Sequence, residues 1–264
     1  MKNQKTSVIS VCKKCDMSEE KEPETMKDQK QKKSRRPLIR PLFFFAFAAV
    51  LFLAYVSDYY RADNEVKKFL DSTETVQVES IEEGLFLDGP GTEYAFIFYP
   101  GGKVEYTAYL PLLHRLSDSG IDCFLIKMPL NLAVFGQSKA SRITDKYQYA
   151  KWYIGGHSLG GAMAALYASG HELDGLILLA SYAMREVDEM TLELYGSEDN
   201  ILNMDNRKSG DVYLPKGSVI DVIEGGNHAW FGNYGEQKGD GKATITRDEQ
   251  QEYTVERIKE FIFR

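Results

Sequence analysis

The stretch that most constrains this fold is 152–166, where an apolar run ends at paired glycines, a serine, further glycines and an alanine-rich helical pattern. This order predicts a buried strand, a sharp turn and a helix, with Ser158 in the turn as in a nucleophile elbow. Gly156 and Gly160 are required because Cβ atoms there would collide where strand and helix approach closely. A Gly-x-Ser-x-Gly pattern arises by chance in about one chain in ten of this length. The case for Ser158 therefore depends on finding partners for it.

Short apolar runs recur along the chain after residue 74, and helical patterns separate several of them. The runs are 76–78, 84–87, 95–99, 123–128, 152–154, 176–180, 192–195 and 219–223. The clearest helical patterns are 106–119, 159–169 and 248–263. This alternation predicts an α/β fold whose central sheet is mostly parallel and is covered by helices on both faces.

The charge of the chain is unevenly distributed. Residues 1–40 hold 12 Lys and Arg against 6 Asp and Glu, although the whole chain has a formal net charge of −7. That basic segment has no apolar periodicity, which is typical of a disordered tail. The acidic remainder gives no support to nucleic-acid binding.

Residues 41–58 predict a transmembrane anchor, because 42–56 are apolar throughout and about 1.5 Å per residue lets such a helix just cross a hydrocarbon core. A buried globular helix would show a polar face, and a cleaved signal peptide would show a small-residue site that 53–58 lacks. The preceding basic residues favour a cytoplasmic 1–40 tail. We therefore expect a single-pass cell-membrane protein, with a connector over 59–73 and an extracytoplasmic domain over 74–264.

Three cysteines are present, and they do not form a complete metal site. Cys12 and Cys15 make a Cys-x-x-Cys pair in the tail, and the first histidine of the chain is His114, so a zinc site would lack two ligands. Cys123 lies in an apolar run and is expected to be a small core residue. We expect no metal or organic cofactor, and the role of the tail pair stays open.

A serine hydroxyl becomes a good nucleophile only when a neighbouring base takes its proton, and imidazole is the usual base near neutral pH. The chain has four histidines, and three have simpler explanations. These are His114 in a helical pattern before the elbow, His157 inside the turn and expected to point away from the serine, and His171 at a helix end. His228 lies in the glycine-rich loop 224–232, directly after the last predicted strand. We predict that His228 is the general base.

The third member of the set should lie between the serine and the histidine in chain order. The predicted strand within 192–199 ends at a glycine turn that carries two adjacent acids, Glu198 and Asp199. Such a turn presents Asp199 at the C-terminal edge of the sheet. Asp199 is the predicted acid, and Glu198 is the alternative.

An oxyanion would need two backbone donors aimed at it. One is the N–H of Leu159, directly after the serine. The second is expected from the loop after the 95–99 run, where Pro100 cannot donate. Gly102 is the preferred donor and Lys103 the alternative, although a tight strand-to-helix turn would need glycine for its geometry alone.

Five segments resemble the bacterial alpha/beta hydrolase fold-5 family, and they follow the order of that family over most of 76–264. They are 99–104, 128–135, 155–162, 194–199 and 225–232. The resemblance implies an α/β-hydrolase fold and a serine-hydrolase triad of Ser158, Asp199 and His228, which agrees with the elimination above. It does not assign a substrate.

We therefore expect a membrane-anchored serine hydrolase that cleaves a carboxylic ester or a related small-molecule acyl compound. The alternatives are a non-catalytic binding or scaffold module and an acyltransferase or amidase with the same triad. The oligomeric state stays open.

The segments that could cover the site are short. Only ten residues, 181–190, lie where many α/β-hydrolases insert a lid, so no large cap domain is expected. The 131–149 segment is the other candidate roof. The expected apolar walls are Phe135, Trp230, Phe231 and Tyr234.

Overall fold

A computed structural model describes residues 39–264 of the chain. Residues 46–264 form one compact unit, and the sheet and the sites below belong to it. The predicted disordered tail, up to residue 38, and its Cys12 and Cys15 lie outside the described residues.

Eight strands form a single sheet, and each corresponds to one of the predicted apolar runs. They are β1 (Gln77–Ile81), β2 (Gly84–Asp88), β3 (Tyr94–Tyr99), β4 (Ile121–Ile126), β5 (Lys151–His157), β6 (Gly175–Leu179), β7 (Thr191–Gly196) and β8 (Val219–Ile223). Their order is β1-β2-β4-β3-β5-β6-β7-β8. Only the β1–β2 and β2–β4 pairs are antiparallel. The predicted mostly parallel sheet is therefore confirmed.

The helices lie between the strands and at both ends of the described chain. They are α1 (Ile39–Ser57), α2 (Leu110–Asp118), α3 (Lys139–Thr144), α4 (Leu159–Ala168), α5 (Met204–Gly210) and α6 (Arg247–Ile262). Short 3-10 turns lie at Asn64–Leu70, Tyr106–Tyr109, Pro129–Asn131, Ala133–Phe135, Asp211–Tyr213 and Ala229–Phe231. A reciprocal capping box between Thr246 and Glu249 begins α6, and it satisfies amide groups that the first helical turn leaves without partners.

Helices cover both faces of the sheet, and each face has its own apolar cluster. Leu113 of α2 and Ile258 of α6 belong to one cluster. Ala164 of α4 and Ile143 of α3 belong to the other. Strand β6 is buried at every position between these layers, which explains why its sequence is a continuous apolar run rather than an alternating one.

Helix α1 occupies the predicted anchor. Its apolar side chains at the consecutive positions Val50, Leu51, Phe52 and Leu53 are 42–60% exposed. Within residues 39–264, no helix has the length and apolarity required to cross a membrane.

The predicted connector over 59–73 packs against the sheet domain. Tyr60 is bonded through its backbone to the loop after β3: its N–H donates to the Lys103 carbonyl and its carbonyl accepts from the Glu105 N–H, both at 2.8 Å. Val66 in the following 3-10 turn is buried in the core. The compact unit therefore includes residues upstream of the predicted boundary at residue 74.

A buried ion pair joins α5 to the sheet. The side chains of Arg207 and Glu193 are 6% and 1% exposed, respectively. Burial raises the pKa of Glu193 to about 7, against the opposing effect of the Arg207 guanidinium. Because removing one partner leaves an uncompensated buried charge, Arg207→Met should lower the free energy of unfolding by about 3–5 kcal/mol at pH 8.

Urea denaturation measures this loss. The matched control is Lys208→Met, which removes a neighbouring exposed cation on the same helix and should change stability by less than about 0.5 kcal/mol. The decrease in the free energy of unfolding caused by Arg207→Met should be smaller at a pH below the raised pKa of Glu193. A protonated carboxyl tolerates burial without its cation. Equal, small effects of the two variants would contradict this role for the pair.

Candidate active site

Ser158 stands in a strained turn between β5 and α4. Its backbone has φ 52° and ψ −123°, a conformation that non-glycine residues rarely adopt. A Cβ at Gly156 or Gly160 would lie 2.3 Å or 2.2 Å from the Tyr99 carbonyl oxygen. The predicted need for glycine on both sides of the serine is therefore confirmed.

Residues at and after the end of β6 hold this turn through hydrogen bonds to the backbone of Ser158. The Ser158 N–H donates to the Leu179 carbonyl at 2.9 Å, and the Ser181 hydroxyl donates to the Ser158 carbonyl at 2.8 Å. Ala180, between these two partners, has a φ of 47°. The positive φ turns the chain so that Ser181 reaches the elbow.

His228 and Asp199 form a buried pair at the C-terminal edge of the sheet. The Nδ1 atom of His228 lies 2.8 Å from Oδ2 of Asp199. The other carboxylate oxygen accepts from the N–H groups of Ile201 and Leu202, both at 2.8 Å. Because these amides hold the carboxylate, Asp199 fixes the orientation of the imidazole and favours a proton on Nδ1.

The second ring nitrogen of His228 is buried and is not hydrogen-bonded to Ser158. Its Nε2 atom has no hydrogen-bond partner among residues 39–264, and His228 lines the same cavity as Ser158. Glu198, the alternative acid, instead accepts at 3.3 Å from the Ser197 hydroxyl at the exposed surface. The structure thus brings Asp199, and not Glu198, to the histidine.

Two further polar residues hold the loop that carries His228, and sequence reasoning did not identify them. Asp240 accepts from the N–H of His228 at 3.3 Å and from the N–H of Ala229 at 2.8 Å. The fully buried Gln250 of α6 accepts from the N–H of Asn227 and donates to its carbonyl, both at 2.9 Å. Gln250 falls on the buried stripe of its helix, and a polar residue there was the available signal. Asp240 lies in an irregular loop that offers no such signal.

The amides of the loop after β3 distinguish the two candidate oxyanion donors. The Gly101 N–H donates to the Tyr109 hydroxyl at 3.1 Å, and the Lys103 N–H donates to the Asn131 carbonyl at 2.7 Å. The Gly102 N–H between them has no partner among the described residues. A Cβ at Gly102 would lie 2.9 Å from Cδ2 of Leu159. The loop therefore places Gly102 beside Leu159, whose N–H stands at the open end of α4.

His157 lies in the core rather than in the cavity. Its Nδ1 is 2.8 Å from the Tyr109 hydroxyl. Burial, and secondarily the neighbouring His228, hold the pKa of His157 well below its usual value, so the ring is neutral.

The remaining histidines lie outside the candidate site. His114 packs edge-on against Phe69, with 5.4 Å between ring centroids. His171 pairs its Nδ1 with the Tyr167 carbonyl at 2.8 Å, at the end of α4. Within residues 39–264, no group of three or more His, Cys, Asp or Glu side chains is arranged to hold a metal ion.

The cavity at Ser158 has a volume of about 290 Å³ and a mostly apolar lining. The lining residues are Ser158, Leu159, Ala162, Ala180, Ser181, Tyr182, Met184, Ile201, Leu202, Asn203 and His228. Three of them come from the short 181–190 segment, and none comes from the predicted roof over 131–149.

The predicted aromatic walls are wrong. Phe231 and Tyr234 are buried in the core on one face of the sheet. Trp230 lines a separate cavity with Asp240, and Phe135 is 53% exposed. The 3-10 turn after His228 directs Phe231 inward, so closeness in sequence to the histidine did not place these rings at the cavity.

Comparison with known proteins agrees with this architecture. Among solved structures the chain is similar to one described as a predicted CIB-like hydrolase from Thermoplasma acidophilum, at 16% identity and a TM-score of 0.52 over 70% of this chain and 98% of that one. It is similar to dienelactone hydrolase from Anabaena variabilis, at 14% identity and a TM-score of 0.53 over 69% and 97% of the two chains. It is also similar to esterase 2 from Thermogutta terrifontis phosphoramylated by tabun, at 11% identity and a TM-score of 0.52 over 73% of this chain and 96% of that one.

Identities this low establish a shared fold alone. No curated protein sequence matches the chain. A family model, however, matches residues 95–252, which is more than half of the chain and contains Ser158, Asp199 and His228. The chain therefore belongs to the alpha/beta hydrolase family.

Proposed function

We propose that this protein is a serine hydrolase that cleaves carboxylic esters or related acyl compounds through an acyl-enzyme. The observation that carries the proposal is the Asp199–His228 pair, since His228 has an unpaired Nε2 and lines the same cavity as Ser158 on its strained elbow. The esterase and dienelactone hydrolase of similar fold support this reaction class.

In the proposed reaction, the Ser158 hydroxyl attacks the acyl carbon and transfers its proton to Nε2 of His228. Asp199 holds Nδ1 and stabilises the imidazolium that forms. The N–H groups of Gly102 and Leu159 bind the oxyanion of the tetrahedral intermediate. His228 then gives its proton to the leaving alcohol, and water attacks the acyl-enzyme by the same route in reverse.

The other readings of the fold differ from this one in measurable ways. An acyltransferase or amidase would use the same residues and differ in acceptor or leaving group. A scaffold module would not need the side chains of Ser158, Asp199 and His228. It would also have no use for a carboxylate held by two amides or for a Gly102 N–H without a partner.

A fluorophosphonate probe tests the proposal on the full chain. We expect stoichiometric labelling, with the adduct mapped by tandem mass spectrometry to the peptide that carries Ser158, and loss of labelling after heat denaturation. Turnover of an activated aryl ester should fall in parallel with the labelled fraction. A folded protein that neither reacts with the probe nor hydrolyses esters would refute the proposal.

Asp240 should support the reaction by positioning His228. Asp240→Ala leaves two loop amides without their acceptor, so we expect kcat for an activated ester to fall about 10- to 100-fold. Glu236→Ala is the control, since it removes an exposed acid from the same loop and should leave kcat unchanged. Equal kcat values in the two variants would contradict this role.

We also propose that α1 attaches the chain to the cell membrane. The apolar 42–56 sequence, the exposed side chains of α1 and the preceding basic residues support this attachment. With residues 1–40 cytoplasmic and 74–264 extracytoplasmic, the 42–56 segment would have to cross the bilayer, which requires a length and apolarity that no helix of residues 39–264 reaches. The proposal is therefore attachment through α1, and this orientation is a separate expectation. External protease on intact cells should digest the sheet domain, whereas full protection of that domain would exclude the orientation.

A further inference from the structure

We propose that the cavity at Ser158 selects esters with a compact, uncharged and apolar acyl group, and that Met184 and Ala162 set the length of that group. This inference rests on the proposed function and adds a substrate class to it.

The lining of the cavity favours an uncharged, apolar ligand. Most of its side chains are apolar, and none of them is an aspartate, glutamate, lysine or arginine. A carboxylate or ammonium on the substrate would therefore lose its hydration without gaining an opposite charge. An apolar group would instead bury surface against Leu159, Ile201 and Leu202.

The volume of the cavity sets the scale of the ligand. At about 290 Å³ it lies near the lower end of ligand sites, which begin at about 300 Å³. An apolar cavity of about 150 Å³ holds a benzene molecule. The ester carbonyl and an acyl chain of about four to eight carbons would fill the cavity at Ser158.

The positions of the walls favour the acyl group over the alcohol. Leu159 and Ala162 belong to α4, which directly follows Ser158, and Ala180 directly follows β6, the strand paired with β5. The acyl group is the part that becomes covalently bound to Ser158 when the alcohol leaves, and it stays bound until water attacks. Contacts with these walls are thus available until the final hydrolysis.

Substitutions at two residues of the cavity wall should change the length of acyl group that the cavity accepts. Ala162 lies four residues after Ser158, on the same side of α4, so a larger side chain there would project into the cavity. Met184 lies in the 181–190 segment and is 48% exposed, which places it at the mouth. Shortening its flexible side chain would open the cavity outward.

The test uses the full chain and linear aryl esters with acyl groups of two to twelve carbons. For the wild type, kcat/KM should peak at about four to eight carbons and fall about 10-fold or more by twelve. Met184→Ala should raise kcat/KM for the ten- and twelve-carbon esters about 10-fold. Ala162→Leu should lower the values for six and eight carbons about 10-fold and spare the acetyl ester.

Met190→Ala is the matched control. Met190 ends the same segment and is 38% exposed, and it lies outside the cavity, so its removal should leave the chain-length profile unchanged. A second arm compares butyryl with monosuccinyl esters, for which we expect at least about a 100-fold preference for the uncharged group.

The outcomes separate this inference from the proposed function. Fluorophosphonate labelling of Ser158 reports the function independently of acyl length. The specificity inference is wrong, and the function stands, in any of three outcomes with an enzyme that the probe labels. In the first, Met184→Ala and Ala162→Leu both keep the wild-type dependence of kcat/KM on acyl length, and in the second, the enzyme prefers succinyl esters. In the third outcome, kcat/KM depends on chain length only when the alcohol is varied. If Ser158 is never labelled in folded protein, both are wrong.

Discussion

Replacing Ser158 with alanine should reduce kcat for ester hydrolysis by about 10⁴- to 10⁶-fold and abolish fluorophosphonate labelling. The hydroxyl is the only group that the substitution removes. Residual turnover should match the contribution of the Gly102 and Leu159 amides and of substrate binding. Burst kinetics with an activated aryl ester, together with adduct mass, measure both effects.

The loss should not come from unfolding. Alanine meets the same steric restriction as serine at a φ of 52°, so the strain of the elbow is retained and the free energy of unfolding should change by less than about 1 kcal/mol. Chemical denaturation of the two proteins checks this expectation.

Ser181 provides a matched control in the same cavity. Its hydroxyl donates to the Ser158 carbonyl, so Ser181→Ala should slow labelling modestly while the adduct still forms on Ser158. If Ser181→Ala abolished labelling and Ser158→Ala did not, the nucleophile would be Ser181 and the proposed mechanism would be wrong.

The sheet and the elbow were predictable because each depends on local pattern. Apolar runs such as 176–180 are continuous because both faces of the sheet are covered. Gly156 and Gly160 are required where the turn contacts Tyr99. The pairing of His228 with an acid after β7 was predictable from chain order. Asp199 was preferred to Glu198 from its place in that turn, and the structure pairs Asp199 with His228.

The supporting groups were not predictable because they reach the site from irregular segments. Asp240 contacts the His228 loop from a stretch with no periodicity, and Tyr109 reaches Gly101 from the 3-10 turn before α2. A side chain in such a segment is positioned by tertiary packing alone. The cavity walls were mispredicted for the same reason, since Ile201 and Leu202 follow Asp199 in a loop whose path is set by hydrogen bonds to that carboxylate.

Those same hydrogen bonds predict the effect of replacing Asp199 with asparagine. The Ile201 and Leu202 amides require an acceptor, so the amide oxygen of the new side chain should take the position of Oδ1 and turn its NH₂ group towards Nδ1 of His228. The imidazole would then accept at Nδ1 and carry its proton on Nε2, where it cannot take the proton of Ser158. We expect kcat to fall about 10⁴-fold with little change in fold.

The matched control is Glu198→Gln, which changes the adjacent exposed acid and should leave kcat unchanged. NMR of the imidazole nitrogens would report the tautomer directly, with Nδ1 protonated in the wild type and Nε2 protonated in Asp199→Asn. If Glu198→Gln lost activity and Asp199→Asn kept it, the acid would be Glu198. If Asp199→Asn were inactive with an unchanged tautomer, the carboxylate would act through charge stabilisation of the imidazolium rather than through its orientation.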